Sequence, residues 1–107
     1  ARKGFRLVLK SEMNIRIHVA IATFVVFMAL FLKFSAVEFC LLLFVIGLVI
    51  VAEMLNTAIE FTLDSIYHNR YSRMVGMAKD ISAGAVMFAS FISVLVGIVL
   101  FGNKLFF

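Results

Sequence analysis

The chain has 107 residues, of which 64% are hydrophobic, and it contains no proline and no tryptophan. Soluble domains are usually about half apolar, so this composition indicates a membrane protein and excludes an ordinary soluble enzyme. The net charge is +4 at pH 7, and the single cysteine, Cys40, excludes an intrachain disulfide.

The chain begins with a basic amphipathic segment at residues 2–16, which predicts a helix lying in the membrane interface. Its polar side carries Lys3, Arg6, Lys10 and Asn14. Glu12 falls on the apolar side instead, and its simplest alternative role is a pair with Arg16 one turn later. We expect no cleaved secretory signal, because the apolar segments that follow are long enough to remain in the membrane.

Three apolar segments follow, at about residues 17–33, 38–64 and 80–102. A bilayer is crossed by about 20 apolar residues, so these segments predict three transmembrane helices in a single all-α domain over residues 1–107. In the third segment, Ala83, Ser90 and Gly97 recur every seven residues. Small residues at this spacing predict close packing of helices rather than chemistry.

The basic residues predict the orientation. Eight of the ten precede the first span or fall in the polar connection between the second and third spans, at about residues 67–79, and only Lys33 and Lys104 fall on the other side. The positive-inside rule therefore places the N-terminus and the second connection in the cytoplasm. Because the charge reflects topology, we expect no nucleic-acid partner.

Four polar residues lie at the inner end of the second span. They are Glu53, Asn56, Glu60 and Asp64. Their spacing of three, four and four residues puts them on one helical face. A carboxylate at bilayer depth costs a few kcal/mol, so such a face predicts a functional site. The residues alone leave two explanations open, which are phosphoryl transfer with a divalent metal and proton-coupled transport.

Further polar residues are expected at the same interface. They are Glu12, Arg70, Arg73, Lys79 and Asp80. Carboxylates hold Mg²⁺ together with water and substrate phosphates, and Lys and Arg neutralise phosphate oxygens. A carboxylate can also accept the proton of a hydroxyl. These groups suit phosphoryl transfer from a nucleotide, although the sequence has neither a Walker loop nor a kinase glycine-rich loop.

Three segments resemble the prokaryotic diacylglycerol kinase family, in its order and at its spacing. They are Glu12-Met-Asn14-Ile-Arg16-Ile-His18, Glu53-Met-Leu-Asn-Thr-Ala-Ile-Glu60 with Asp64 one turn further on, and Ala78-Lys79-Asp80-Ile-Ser-Ala83-Gly84-Ala85-Val86. Their form is most similar to the Gram-positive branch, which chiefly phosphorylates undecaprenol, whereas the Gram-negative branch prefers diacylglycerol. The resemblance implies an ATP- and Mg²⁺-dependent lipid kinase in the bacterial cytoplasmic membrane. It also implies a homotrimer whose active sites, at the cytoplasmic interface, are shared between neighbours.

The resemblance also implies roles for single residues. Glu53 would be the general base, and Glu12 and Glu60 would bind the ions that bridge the ATP phosphates. Lys79 and Asp80 would contact the nucleotide.

The remaining implied roles are supporting ones. Asn56 would orient the site near Glu53, with Asn14 and Arg16 as further orienting candidates, and Asp64 would be a supporting polar residue. The polar connection between the second and third spans, at about residues 67–79, departs from the family's usual loop. Its candidates for nucleotide contacts are Arg70 and Tyr71. His18 is expected to be an interfacial residue without a catalytic role.

The rival functions make less use of these residues. Diacylglycerol is the alternative lipid substrate. A small proton-coupled transporter would need four spans rather than three, and a non-enzymatic assembly subunit would make no use of the paired Glu12 and Glu60.

Overall fold

Four helices make up the computed structural model, which describes residues 1–11, 13–68 and 72–107. They are α1 (Arg2–Ser11), α2 (Met13–Phe31), α3 (Ala36–Tyr67) and α4 (Arg73–Phe106). The most extensive contact joins α3 and α4, and α2 lies against α3. The molecule is 52 Å long. Helices α2, α3 and α4 are each long and apolar enough to cross a membrane, so the predicted three-span architecture is confirmed.

The helix ends differ from the predicted segments. Helical structure covers the predicted surface segment of residues 2–16 apart from residue 12, with residues 2–11 in α1 and residues 13–16 in α2. Ile15 is only 1% exposed, so its packing joins these residues to the bundle. Helices α3 and α4 run beyond 38–64 and 80–102, because no proline interrupts their backbone hydrogen bonds where the sequence becomes polar.

The turn between α2 and α3 is short because both helix ends are capped. Lys33 adopts the left-handed conformation with φ of 59°, and the N–H of Phe34 donates to the carbonyl of Ala29 at 3.1 Å. The hydroxyl of Ser35 then accepts the N–H of Glu38 at 3.2 Å, and the Glu38 carboxylate accepts the N–H of Ser35 at 2.8 Å. This reciprocal capping box fixes the start of α3.

Helix α4 closes the same end of the bundle. The Nζ of Lys104 lies 3.0 Å from Oε1 of Glu38 and 5.8 Å from the centre of the Phe34 ring. The rings of Phe34 and Phe101 are 4.9 Å apart and tilted by 49°. Lys33 and Lys104, the two lysines assigned to the outer side by the sequence, therefore belong to one end of the bundle.

A narrow stripe on each of α3 and α4 forms the interior. The buried residues are Leu42, Val45, Val49, Glu53 and Thr57 on α3, and Val75, Ser82, Ala89 and Leu100 on α4. Of the small residues predicted to pack on α4, Ala83 is exposed, whereas Ser90 and Gly97 are half-buried and line the cavity between the helices. The interior is apolar at the end that carries Lys33 and Lys104, named the outer end after the predicted orientation, and becomes polar towards the opposite, inner end.

Replacing Ser35 with alanine removes the side-chain acceptor of the capping box, so we expect the free energy of unfolding to fall by about 1 kcal/mol. Reversible unfolding in mixed micelles with increasing dodecyl sulfate measures this change. Ser65→Ala is the matched control, because Ser65 is exposed within α3 and alanine is a good helix former there. Equal stability of the two variants would show that the cap does not stabilise α3.

Candidate active site

The inner half of α3 presents a row of polar side chains. Glu53 is buried, with its side chain 9% exposed, and Asn56, Glu60 and Asp64 are half-buried. Each residue follows the previous one by about one helical turn. The row therefore runs from a buried acid to acids that reach the helix end.

Asn56 joins this row to α4. Its Nδ2 donates to Oε1 of Glu60 at 3.2 Å, and its Oδ1 accepts from the hydroxyl of Ser82 at 2.6 Å. An ionised carboxylate can only accept hydrogen bonds, so the amide must turn its NH₂ group towards Glu60 and its oxygen towards α4. The Ser82 hydroxyl also lies 3.0 Å from the carbonyl oxygen of Lys79. Asn56 and Ser82 together thus connect Glu60 of α3 to helix α4.

Lys79 and Asp64 make a second link between the same two helices. The Nζ of Lys79 lies 2.7 Å from Oδ1 of Asp64, and both side chains are about one third exposed. Exposed ion pairs contribute about 0–1 kcal/mol to stability, so this pair orients Lys79 more than it stabilises the fold. Asp64, for which the sequence suggested no specific role, therefore has a definite partner.

The local fold places Lys79 within a helix rather than at the end of the polar connection. The hydroxyl of Ser72 accepts the N–H of Val75 at 3.1 Å and starts α4 there. Lys79 and Ser82 consequently lie one turn apart on a regular helix. This geometry lets them meet two different polar residues of α3.

His18 of α2 approaches the buried acid. Its Nδ1 lies 2.8 Å from Oε1 of Glu53, but the N–H direction is not aligned for a hydrogen bond. The other carboxylate oxygen, Oε2, is buried without a hydrogen-bond partner among the residues that the structure describes. Buried polar atoms normally have partners, so Oε2 is suited to accept a hydrogen bond from a bound substrate.

Three other predicted site residues are exposed. Asp80 is exposed on α4, and Asn14 and Arg16 are exposed at the start of α2. The predictions for Glu12, Arg70 and Tyr71 lie outside the described residues.

A metal site made entirely of protein ligands is absent from residues 1–11, 13–68 and 72–107, in which no three His, Cys, Asp or Glu side chains are grouped. Mg²⁺ usually takes only one or two carboxylates and completes its shell with water and substrate phosphates. The half-buried carboxylate of Glu60, beside the amide of Asn56, fits that pattern.

Sequence reasoning missed two contributors, His18 and Ser82. The sequence offered one indication that Ser82 belongs to the site, because Ser82 lies one helical turn after Lys79 in a segment already assigned to the site. The sequence also offered an indication for His18, because an ionisable residue at the start of a membrane span often has a function. Neither indication could identify the contact partner.

An apolar cavity adjoins the His18 side of the site. Its volume is about 330 Å³, and it lies between α2, α3 and α4. It extends from His18 past Val49, Ser93 and Gly97 to Phe101, and most of its lining is aliphatic. A lipid chain could therefore lie in the bundle with its polar end near Glu53.

A bundle of three membrane helices with a buried acid beside an apolar cavity defines an integral membrane protein suited to a lipid substrate. The sequence model of the prokaryotic diacylglycerol kinase family matches residues 1–101. The chain belongs to this family, and it is a lipid kinase. The family match gives no support to the proton-coupled transporter.

The similar proteins are named either undecaprenol kinase or diacylglycerol kinase. The undecaprenol kinase of Bacillus subtilis (strain 168) is 33% identical over 105 residues, which cover 98% of this chain and 85% of that protein. A diacylglycerol kinase of Synechocystis is 33% identical over 94 residues, 88% of this chain and 54% of that protein. The diacylglycerol kinase of Escherichia coli (strain K12) is 32% identical over 93 residues, with coverages of 87% and 75%.

Replacing Ser82 with alanine leaves Oδ1 of Asn56 without its donor, so we expect the unfolding free energy to fall by about 1–3 kcal/mol. We also expect kcat to fall by about tenfold, because misplacement of site groups slows chemistry. Ser82→Thr is the matched control. It keeps the hydroxyl, and its extra methyl can enter the groove of about 490 Å³ that Ser82 lines between α3 and α4. If the alanine and threonine variants had the same kcat, the hydroxyl would have no orienting role.

Proposed function

We propose that this lipid kinase transfers the γ-phosphoryl group of ATP to the hydroxyl of undecaprenol. The reaction forms a bond between the lipid oxygen and the γ-phosphorus and breaks the bond between that phosphorus and the β–γ bridging oxygen. The products are undecaprenyl phosphate and ADP. The proton of the lipid hydroxyl passes to Glu53.

The assignment of Glu53 as general base is supported by its surroundings. The base must accept one proton from a hydroxyl at hydrogen-bond distance. Oε2 is buried and has no hydrogen-bond partner in the described part of the chain, and the apolar cavity begins beside the same residue, at His18. A lipid whose tail lies in this cavity would bring its hydroxyl to the His18 side of Glu53, and the buried Oε2 would have to become accessible for the hydroxyl to reach it. The apolar walls also exclude water, which would compete for the phosphoryl group.

The nucleotide side of the proposed site lies nearer the helix ends. Lys79 would bind phosphate oxygens, Asp64 would hold its ammonium group in place, and Asp80 would contact the nucleotide. Glu60, with Glu12, would hold Mg²⁺, and Asn56 would orient Glu60. When bound with ATP, Mg²⁺ neutralises negative charge on the phosphate oxygens.

The choice of undecaprenol depends on the coverage of the relatives rather than on identity, which is nearly equal among them. The match to the Bacillus undecaprenol kinase extends over 105 residues and 85% of that protein, whereas the diacylglycerol kinases match over 94 and 93 residues. Diacylglycerol is the second candidate substrate, because two of these relatives carry that name.

The proposed setting is the cytoplasmic face of the bacterial inner membrane. Eight of the ten basic residues belong to the inner side by the sequence, and Lys79 and Asp64 mark that end of the bundle. Helix α1 would lie in the interface there, with Lys3 and Arg6, both exposed, towards the lipid headgroups.

A homotrimer is part of the same proposal. Many large apolar side chains are exposed along α2, α3 and α4, including Phe24, Phe44 and Phe91. Lipids and neighbouring subunits can cover these faces. A trimer would also allow a neighbouring chain to contribute residues to each active site.

The substrate proposal is tested by phosphorylation of undecaprenol and of diacylglycerol in the same mixed micelles, with labelled ATP and with or without Mg²⁺. We expect kcat/KM to be at least about tenfold higher for undecaprenol, which corresponds to about 1.4 kcal/mol of transition-state discrimination, and both reactions to require Mg²⁺. A preference for diacylglycerol would contradict the substrate proposal and leave the lipid kinase class intact.

The role of Glu53 is tested by Glu53→Gln. We expect kcat to fall by about a hundredfold or more, because glutamine keeps the shape of the side chain but cannot accept the proton. Helicity and oligomeric state should remain unchanged. Glu38→Gln is the matched control, since Glu38 lies at the opposite end of α3 and glutamine is also compatible with a capping box. A folded Glu53→Gln enzyme with near-normal turnover would remove Glu53 from the role of base.

A further inference from the structure

The contact between His18 and Glu53 is the one feature of the site that the proposed roles do not use. His18 belongs to α2, whereas the other described residues that contact one another in the site belong to α3 and α4. Its imidazole lies 2.8 Å from one oxygen of the buried carboxylate and also lines the apolar cavity. It therefore stands between the acid and the space suited to a lipid tail.

We infer that His18 is a positioning residue, which holds Oε1 of Glu53 through its Nδ1–H so that Oε2 faces the lipid hydroxyl. This inference deepens the proposed function and rests on it, because it takes Glu53 as the base. It assigns different tasks to the two carboxylate oxygens, so that Oε1 is the anchored atom and Oε2 accepts the proton.

The geometry supports this division in three ways. A carboxylate rotates freely about its last bond, so the identity of the proton-accepting oxygen must be fixed by a neighbour. Within the described residues, His18 is the one basic side chain in contact with Glu53, and Oε2 has no hydrogen-bond partner. The contact is close but not aligned, and catalytic hydrogen bonds often become aligned only when substrate binds.

The contact also connects Glu53 to the cavity, because the imidazole of His18 lines the cavity. Asn56 has the corresponding task on the other side of the row, where it connects Glu60 to Ser82 of α4. Each of the two acids is thus positioned by a different neighbouring helix.

Three substitutions of His18 test the inference. His18→Leu removes the polar contact at similar size. His18→Asn keeps an amide N–H near the position of Nδ1, whereas His18→Gln moves its amide towards the position of Nε2. We expect kcat for the lipid to fall by about 10- to 100-fold in the leucine and glutamine variants, with the KM for MgATP within about twofold of the wild-type value. The asparagine variant should regain kcat to within about threefold of wild type.

A spectroscopic measurement examines the contact itself in the intact protein. The chain has only two histidines, so ¹⁵N-histidine labelling gives two imidazoles to observe. His68, exposed at the end of α3, is the matched control, and His68→Asn both assigns the spectrum and should leave kcat unchanged. We expect Glu53→Gln to shift the Nδ1 resonance of His18 and to leave the resonances of His68 in place.

The outcomes separate the inference from the proposed function. Wild-type kcat in His18→Leu, or equal loss in the leucine, asparagine and glutamine variants, would overturn the positioning role. An unshifted His18 resonance in Glu53→Gln would overturn it as well. Full activity of Glu53→Gln would instead overturn the assignment of the base, whatever the His18 variants do. If the leucine variant fails to fold, the kcat values of the asparagine and glutamine variants test the positioning role instead, and equal values would overturn it.

Discussion

The burial of Glu53 is the constraint on which the rest of the structure depends. An ionised carboxylate inside a bundle of apolar helices loses the hydration that water would provide, and this loss costs several kcal/mol unless protein groups compensate. The imidazole of His18 lies close to one oxygen of Glu53, and the other oxygen has no hydrogen-bond partner among the described residues. Such an incompletely satisfied acid is costly for stability, and it suits the role of general base that we propose for Glu53.

The two ends of the bundle meet different physical demands. At the outer end, the capping box of Ser35 and Glu38 and the contact of Lys104 with Glu38 close a short turn over an apolar cluster. At the inner end, the same pair of helices is joined by polar contacts from Asn56 to Ser82 and from Lys79 to Asp64. The outer end therefore stabilises the fold, and we propose that the inner end positions groups for chemistry.

Much of the fold followed from the sequence because membrane helices obey simple rules. Apolar length predicted the three spans, and spacing put Glu53, Asn56 and Glu60 on one face. The burial of Ile15 was harder to predict, because it depends on tertiary packing that no local pattern reveals. The contacts of His18 and Ser82 were also missed, since they depend on how α2 and α4 are rotated against α3.

A double-mutant cycle between His18→Leu and Glu53→Gln tests the central claim most directly. Single-turnover transfer of labelled γ-phosphate measures the rates, including the small residual rate of Glu53→Gln. If the imidazole acts only by positioning the base, His18→Leu slows the wild-type enzyme but has no further effect once Glu53 is replaced. Losses that multiply in the double variant would contradict the account, because the two residues would then act independently.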